Sequence, residues 1–474
     1  MNTPNAARSH ALVLGASLGG LITARVLSQH FDQVTILERD AVTVEPQSRK
    51  GQPQTRHLHG LLVSGLDTLT HYFPDLSEAL TKNGAIVGDM AENMHWHTYG
   101  GFRQRFTFGA SAALMSRPLL ESLIRQRTLA RPNISLRDNT AVKGLVTNGD
   151  RTRITGVEVE SRGASTLRQA QDSAHNETIN ADLVVDATGR GSRTPEWLTE
   201  LGYTAPAESE VKVDVGYATR LYRRNPNDPN SRDWLLYTPE APKESRFGGI
   251  FPIEGERWIV SVGGWAGDHA PTDETSFLEF VRSLPNQDIY RIISTSEPIS
   301  DILPYKFPAS LRRHYEQLER FPQGFLVLGD AISSFNPTYG QGMSSAVLQA
   351  AELDKILSNK RVAPELLART FFKAAAKVVD IPWQLSVGED FRFPQTTGPK
   401  PGGVDLINRY VAAVHRATRF DPEVGRAFLK VMNLLEPPTS LMTPRILWRV
   451  WKANRANRET TTQTKIKPSV RVTA

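Results

Sequence analysis

The sequence predicts an α/β protein: a discontinuous parallel-sheet domain, an inserted and mostly antiparallel β-sheet domain, and a helical C-terminal region. Three observations carry this. The apolar strand Ala11–Leu14 meets a glycine turn, Gly15-Ala-Ser-Leu-Gly-Gly20, an apolar helix to about His30, and a strand, Gln33–Arg39, that ends beside an acid. That is the βαβ opening of a Rossmann-like dinucleotide-binding fold. From Val211 the hydrophobic period changes to two, with Val213, Val215 and Tyr217 alternating with polar residues, as a half-buried strand does. After a second strand–turn–helix at Gly324–Met343 the apolar spacing is helical.

Composition narrows the function classes. A chain of 474 residues predicts two to three domains or one discontinuous assembly. Cysteine is absent, which excludes disulfides, thiolate nucleophiles and zinc–thiolate sites and fits a reducing, cytoplasmic setting. The net charge of +6 is mildly basic and suits phosphate-bearing cofactors. No Lys/Arg run is interleaved with aromatics, so no nucleic-acid partner is expected. Residues 1–8 lack the apolar core of a signal peptide, and no apolar run approaches the ~20 residues of a spanning helix. A soluble protein is expected.

In the opening motif Gly15 makes the turn, Gly20 permits close helix packing and Glu38 is placed to hold a ribose diol. Ser17 stands where the middle glycine is usual. The candidate contacts here are Gly15, Ser17, Leu18, Gly19, Gly20, Glu38 and Arg39. The same residues spell Gly15-x-Ser17-x-Gly19, the pattern of a hydrolase nucleophile elbow. An esterase-like hydrolase with Ser17 as nucleophile is therefore the rival class, although an elbow serine normally follows several earlier strands and needs a later acid and histidine.

Residues 48–62, Ser-Arg-Lys-Gly-Gln-Pro-Gln-Thr-Arg-His-Leu-His-Gly-Leu-Leu, read as a basic turn running into a helix. His57-x-His59 lacks a matching carboxylate cluster for a metal. His95–Gly101 and the alternating Arg103–Phe108 read as a small hairpin. Pro118 opens a helix at its first turn, with Arg117 just before it. Thr140–Val146 and Ile154–Glu160 form a strand pair, with Val142 a candidate backbone contact. Asn180–Leu198 is a strand, a Gly-rich turn and a helix. Phe247–Ile253 and Arg257–Gly263 form a hairpin, and Asp273 caps the helix after it.

At Gly324–Met343 a buried strand, Phe325–Leu328, leads to a Gly-Asp turn, a Gly/Pro loop and a helix from about Ser344. Asp330 can accept a hydrogen bond from a sugar-like hydroxyl. Pro337, Gly340 and Gly342 let backbone N–H groups approach a ligand, and the helix start suits an anionic or electron-accepting ring. Beyond it, helices are expected at 344–357, 364–379 and 406–431, with a Pro/Gly-rich connector over 390–403. At 445–452, Ile446, Leu447, Val450 and Trp451 face away from Arg445, Arg449 and Lys452. Docking on the protein's own core is the commoner meaning of such a stripe; peripheral membrane contact is the alternative. A polar, disordered tail is expected from Glu459.

Gly329-Asp-Ala followed by Asn336-Pro-x-x-Gly-Gln-Gly-Met343 resembles the second FAD signature of class A flavoprotein monooxygenases. The 49–59 stretch, Arg-Lys-Gly-x-Pro-Gln-x-Arg-His-x-His, and Asp186-Ala-Thr-Gly-Arg-Gly-Ser192 resemble those of bacterial FAD-dependent epoxidases of polyether biosynthesis, with squalene-type epoxidases as further relatives. The resemblance implies that Asp330 holds the ribityl chain and that Pro337, Gly340, Gly342 and Met343 meet the flavin ring, with Gly340 and Gly342 donating to its pyrimidine edge. It further implies that Arg49 and Arg56 face FAD and that Arg117 contacts it. Thr188-Gly189 stands where the family carries Asp-Gly, which bears on direct reduction by NADPH.

The implied division is an FAD-binding domain of 1–85, 109–208 and 305–360, a substrate domain of 86–108 and 209–304, a helical region of 361–458 and a tail of 459–474. The implied function is an FAD-dependent monooxygenase that uses a flavin C4a-hydroperoxide to epoxidise an apolar alkene or hydroxylate an aromatic ring in secondary metabolism. Its implied partners are an apolar small-molecule substrate, O₂, and NADPH or a separate reductase as electron source. No catalytic acid or base is demanded. A flavin halogenase or reductase of the same superfamily is the runner-up, although no Trp-x-Trp-x-Ile-Pro segment is present. A non-catalytic flavin redox sensor is a third class.

Overall fold

The computed structural model describes residues 8–161 and 175–466, with side chains as far as residue 456. Strand His10–Leu14 is apolar along four of its five residues, all fully buried, because the sheet pairs it on both sides. It runs parallel to Gln33–Leu37 and to Leu183–Asp186. The five-stranded parallel sheet ends at Ile134–Arg137 on one flank and at Phe325–Val327 on the other. Helix Leu18–Leu27 covers one face and packs on helix Gly342–Ser358. A three-stranded antiparallel sheet of Thr140–Thr147, Ile154–Ser161 and His175–Asn180 stands beside it.

The second large sheet has eight strands, in spatial order Ser333–Ser334, Leu303–Arg313, Glu208–Arg223, Arg257–Gly264, Arg246–Ile253, Trp234–Tyr237, Met94–Thr98 and Gly101–Phe102. All its pairings are antiparallel except Trp234–Tyr237 with Met94–Thr98. Val211, Val213 and Val215 alternate inward along the long strand Glu208–Arg223, which bulges between Lys212 and Val215. The residue-305 boundary expected from sequence falls inside Leu303–Arg313, which pairs with this sheet. Pro304 and Pro308 obscure that strand; they are tolerated because Ser333–Ser334 pairs its other side only at Leu311 and Arg312.

Three further expectations are corrected. The 48–62 loop holds only a 3₁₀ turn, Pro53–Arg56, and its helix starts at Val63. Residues 103–108 are not a strand; the hairpin stops at Phe102 because the chain leaves the sheet to pack on the C-terminal helices. There Gln104 N donates to Thr418 O, and Arg426 donates to the carbonyls of Thr107 and Phe108. Helix Leu367–Asp390 runs through Pro382 rather than ending near Val379.

Helix Pro444–Ile466 docks through Ile446, Val450 and Ala453, while Leu447, Trp448 and Trp451 are exposed, so two of the residues expected on its docked face are not. Its Arg449 and Arg445 pair with Asp421 and Glu423. It extends into the stretch read as a disordered tail, whose residues 467–474 lie outside the described residues, as do 1–7. Among the described residues no helix is long and apolar enough to cross a membrane.

Candidate functional site

A cleft of about 550 Å³ opens where the parallel strands end, between the turn after His10–Leu14 and the loop before Gly342–Ser358. Gly15 adopts φ +98°, and a Cβ there would meet Ala187 O at 2.9 Å. Its N–H donates to Leu37 O at 2.8 Å, which ties the turn to the neighbouring strand end. Ser17 begins helix Leu18–Leu27 with no side-chain cap, so its hydroxyl stays at the positive helix end. No described residue hydrogen-bonds that hydroxyl, so the histidine partner of a nucleophile elbow is missing there.

Glu38 is buried at the next strand end. It accepts from Ala16 N at 2.9 Å and Asp40 N at 3.0 Å and pairs with Arg49 at 2.7 Å. Arg49 also donates to Ala16 O. On the opposite rim Glu121 accepts from Leu18 N at 3.3 Å and from Arg117 Nε at 2.8 Å, which fixes Arg117 against the cleft.

Asp330 stands at the open side of the cleft with protein dense around it. Desolvation raises its carboxyl above the usual range, against the pull of Arg117 and Arg190. Among the described residues nothing hydrogen-bonds it, so the acceptor is available to a ligand. Asn336 caps the 3₁₀ turn Pro337–Tyr339 through Thr338 N, and Gly340 follows in the left-handed region at φ +67°. Gly340 N donates to Pro337 O at 3.0 Å. The donor expected from Gly340 is therefore taken. No described residue accepts from the N–H of Gly342 or Met343, the first residues of the helix, and these two are the donors the loop presents.

A second, mostly apolar chamber of about 690 Å³ lies against the β-sheet domain, walled by Trp96, Trp234, Phe247, Phe251 and Trp265. The cavities share Leu58, His59, Gly60, Pro337, Gly340 and Gln341, so they meet at that doorway. His59 is neutral there, its pKa pushed down to about 3 by burial and by Arg117. His57 beside it is lowered to about 4 by burial and Arg56, and bonds Thr219 Oγ1 at 2.8 Å. Gln341 is 1% exposed, and both of its amide atoms lack a hydrogen-bond partner. An amide so placed is costly unless a ligand completes it.

Of the residues expected at a cofactor site, Gly15, Ser17, Leu18, Gly19, Glu38, Arg39, Arg117, Val142, Asp330, Pro337, Gly340, Gly342 and Met343 line the cleft. Gly20 does not; it sits under Gly15. Arg49 does not either, being held beneath the turn by Glu38, and Arg56 is exposed outside the lining. Sequence reading missed Asp186. Fully buried, it accepts from Thr188 N, Thr188 Oγ1, Ser192 Oγ and Thr194 Oγ1 and so shapes the turn carrying Arg190. Its signal was the cluster of hydroxyl residues two, six and eight positions later. Glu121 and Gln341 were missed as well.

The residues present fit FAD. Glycine turns stand where a Cβ would block a close approach, a helix start presents two N–H donors, and an unpartnered carboxylate and an unpartnered amide flank the loop.

A family model described as an FAD binding domain matches residues 8–369. The chain is 33% identical over 451 residues to Protein Rv3254 of Mycobacterium tuberculosis, covering 90% of each. The fold is similar to a flavoprotein/dehydrogenase from Cytophaga hutchinsonii, with TM-score 0.65, 14% identity and 90% and 92% of the two chains covered. It is also similar to p-nitrophenol 4-monooxygenase PnpA from Pseudomonas putida DLL-E4, with TM-score 0.60, 15% identity and 91% and 99% covered.

Proposed function

Since the chain belongs to the FAD binding domain family, of the FAD-dependent monooxygenase type, we propose that it inserts one oxygen atom from O₂ into an electron-rich double bond or aromatic ring of an apolar substrate. The observation that carries this reading is the doorway: an apolar chamber meets the cofactor cleft at Gly60, Gly340 and Gln341. FAD, when bound, supplies two-electron reduction and O₂ activation. One oxygen atom goes to the substrate and the other leaves as water, with two electrons drawn from NADPH or a separate reductase and the two protons of the water completed from solvent.

The chain's own residues bind, orient and exclude water. Asp330 would accept from a cofactor hydroxyl, and the Gly342 and Met343 N–H groups would donate to the flavin and favour negative charge there. The aromatic walls keep the reacting end dry. Thr188 directs its hydroxyl and N–H to Asp186 at 2.6 and 2.9 Å, so it holds the turn that walls the cleft.

The deciding experiment is an absorbance spectrum of the purified protein before and after anaerobic NADPH. Flavin bands that bleach indicate direct reduction. Bands that persist until a reductase is added indicate a two-component enzyme, and a colourless protein that takes up no FAD overturns the reading. In the same assay Asp330→Ala is expected to weaken FAD binding ~10- to 100-fold with the circular dichroism spectrum unchanged, the usual effect of removing a charged hydrogen bond. Unaltered affinity would remove Asp330 from the site.

A further inference from the structure

The end of the chamber formed by the C-terminal helices brings together three arginines, Arg103, Arg392 and Arg416. Tyr99 and His415 stack there, centroids 5.2 Å apart and 17° from parallel. The guanidinium carbons of Arg392 and Arg416 stand 5.3 and 5.6 Å from the Tyr99 ring centroid, and Arg103 donates to His415 Nδ1 at 2.8 Å. Two carboxylates stand nearby, but Asp390 is engaged by Trp265, Asn336 and Tyr339, so Glu389 is the one that meets these cations. Glu389 accepts from Arg392 Nη1 at 2.8 Å and lies 3.6 Å from His415 Nε2.

Even that carboxylate is poorly ionised. Burial and the neighbouring Asp390, opposed by Arg103, push Glu389 up to about 8, while burial and the arginines hold His415 neutral. Buried charges are normally paired. Here Arg103 keeps Nε and Nη1 without partners, pressed between the rings of Trp96 and Phe428. The hydroxyl of Tyr99, a residue 6% exposed and held at φ +50°, is also unpartnered. Arg392 has a side chain 6% exposed, lines the chamber, and among the described residues donates only to Glu389. Its remaining N–H groups form a fork that matches a planar carboxylate.

We propose that this end of the chamber binds the carboxylate of an apolar acid, with Arg392 as its main partner and Tyr99 as a second donor, so that the substrate is an aromatic or alkenyl carboxylic acid. The word substrate rests on the oxygenase reading; the anion site does not. The acid group is gripped at Arg392 while the apolar body extends past the tryptophans toward Gln341 at the doorway.

The test is isothermal titration calorimetry on FAD-loaded protein at pH 7 with two probes of one skeleton, 2-naphthoate and naphthalene-2-methanol. The carboxylate is expected to bind at least ~10-fold tighter than the alcohol, as a charge-assisted contact provides. Arg392→Met should bring the ratio close to one and leave the alcohol's affinity unchanged. Glu389→Gln should retain the preference, because it removes a competitor for Arg392 without adding charge. Equal affinities in the wild type, a preference that survives Arg392→Met, or failure of both probes at millimolar concentration would overturn the proposal. The wild-type comparison decides even if the Arg392 variant does not fold. Absorbance of the same samples separates the two readings: protein without flavin sinks the oxygenase, whereas a flavoprotein indifferent to charge sinks only the anion site.

Discussion

Gly20→Ala is expected to yield a protein that holds no FAD and unfolds far below the wild type. The Cβ it adds would lie 1.9 Å from Gly15 O and 2.9 Å from Gly15 C. Both are backbone atoms, so no flexible side chain can move aside. The turn cannot retreat either. Gly15 is held by its hydrogen bond to Leu37 O and Ala16 by its bond to Glu38, while Gly15 also abuts Ala187 O. The helix must therefore lift off the sheet, and overpacking of this kind in a core costs ~3 kcal/mol or more. Thermal unfolding followed by circular dichroism, with flavin absorbance on the same sample, checks this. Gly19→Ala is the control for stability, since its Cβ would touch only side chains, at 3.6 Å from Ala346 Cβ and 3.8 Å from Leu328 Cδ2. A Gly20→Ala protein that is yellow and as stable as the Gly19→Ala control would refute the argument.

Asp186→Ala is expected to be almost as severe by a different route. The wild-type carboxylate lies at 0% exposure and collects four donors, with Thr188 Oγ1 at 2.6 Å, Ser192 Oγ at 2.5 Å, Thr194 Oγ1 at 2.6 Å and Thr188 N at 2.9 Å. Removing it leaves the buried hydroxyls of Ser192 and Thr194 without their acceptor, at ~1–3 kcal/mol each, while Thr188, exposed on the cleft wall, can turn to water. The two hydroxyls can rotate toward other acceptors, so ~2–4 kcal/mol in total is the expected loss of unfolding free energy in urea. Asp186→Asn should fall between. It keeps one acceptor oxygen, but its NH₂ faces groups that need an acceptor. The turn of 187–193 forms one wall of the cleft, so FAD affinity should fall in the same order. An alanine variant with unchanged urea midpoint and flavin content would show that the cluster is incidental.

Much of the parallel sheet was legible because its strands are continuous apolar runs closed by glycine turns. Gly15 and Gly329 sit at positive φ where the sequence placed turns. Strand Leu303–Arg313 was harder to place because two prolines break its pattern, and only its neighbour in space shows that one edge is almost bare. Arg49 and Arg56 illustrate a different limit. The motif marks the loop as near the cofactor, but which arginine faces inward depends on Glu38, which takes Arg49 as its own partner. Asp186 and Glu389 look like ordinary acids in the sequence. Their weight comes from burial; the partners of Asp186 stand within eight residues, but the strands that close over it come from segments far along the chain.

The order of strands in the parallel sheet sets a problem for synthesis. Leu183–Asp186 leaves the ribosome well before Phe325–Val327, the strand that covers its outer edge. At ~5–20 residues per second, the intervening chain takes on the order of ten seconds to make. Throughout that interval Leu183, Val184 and Val185 present an apolar edge with unfilled hydrogen-bonding positions, a template for pairing with other nascent chains. Flavin cannot relieve the exposure early, because Asp330 and the donors at Gly342 and Met343 emerge only after the covering strand. The vulnerable stage of this protein's life is thus a half-made sheet waiting for its last strand, and a chaperone would be needed most in that window.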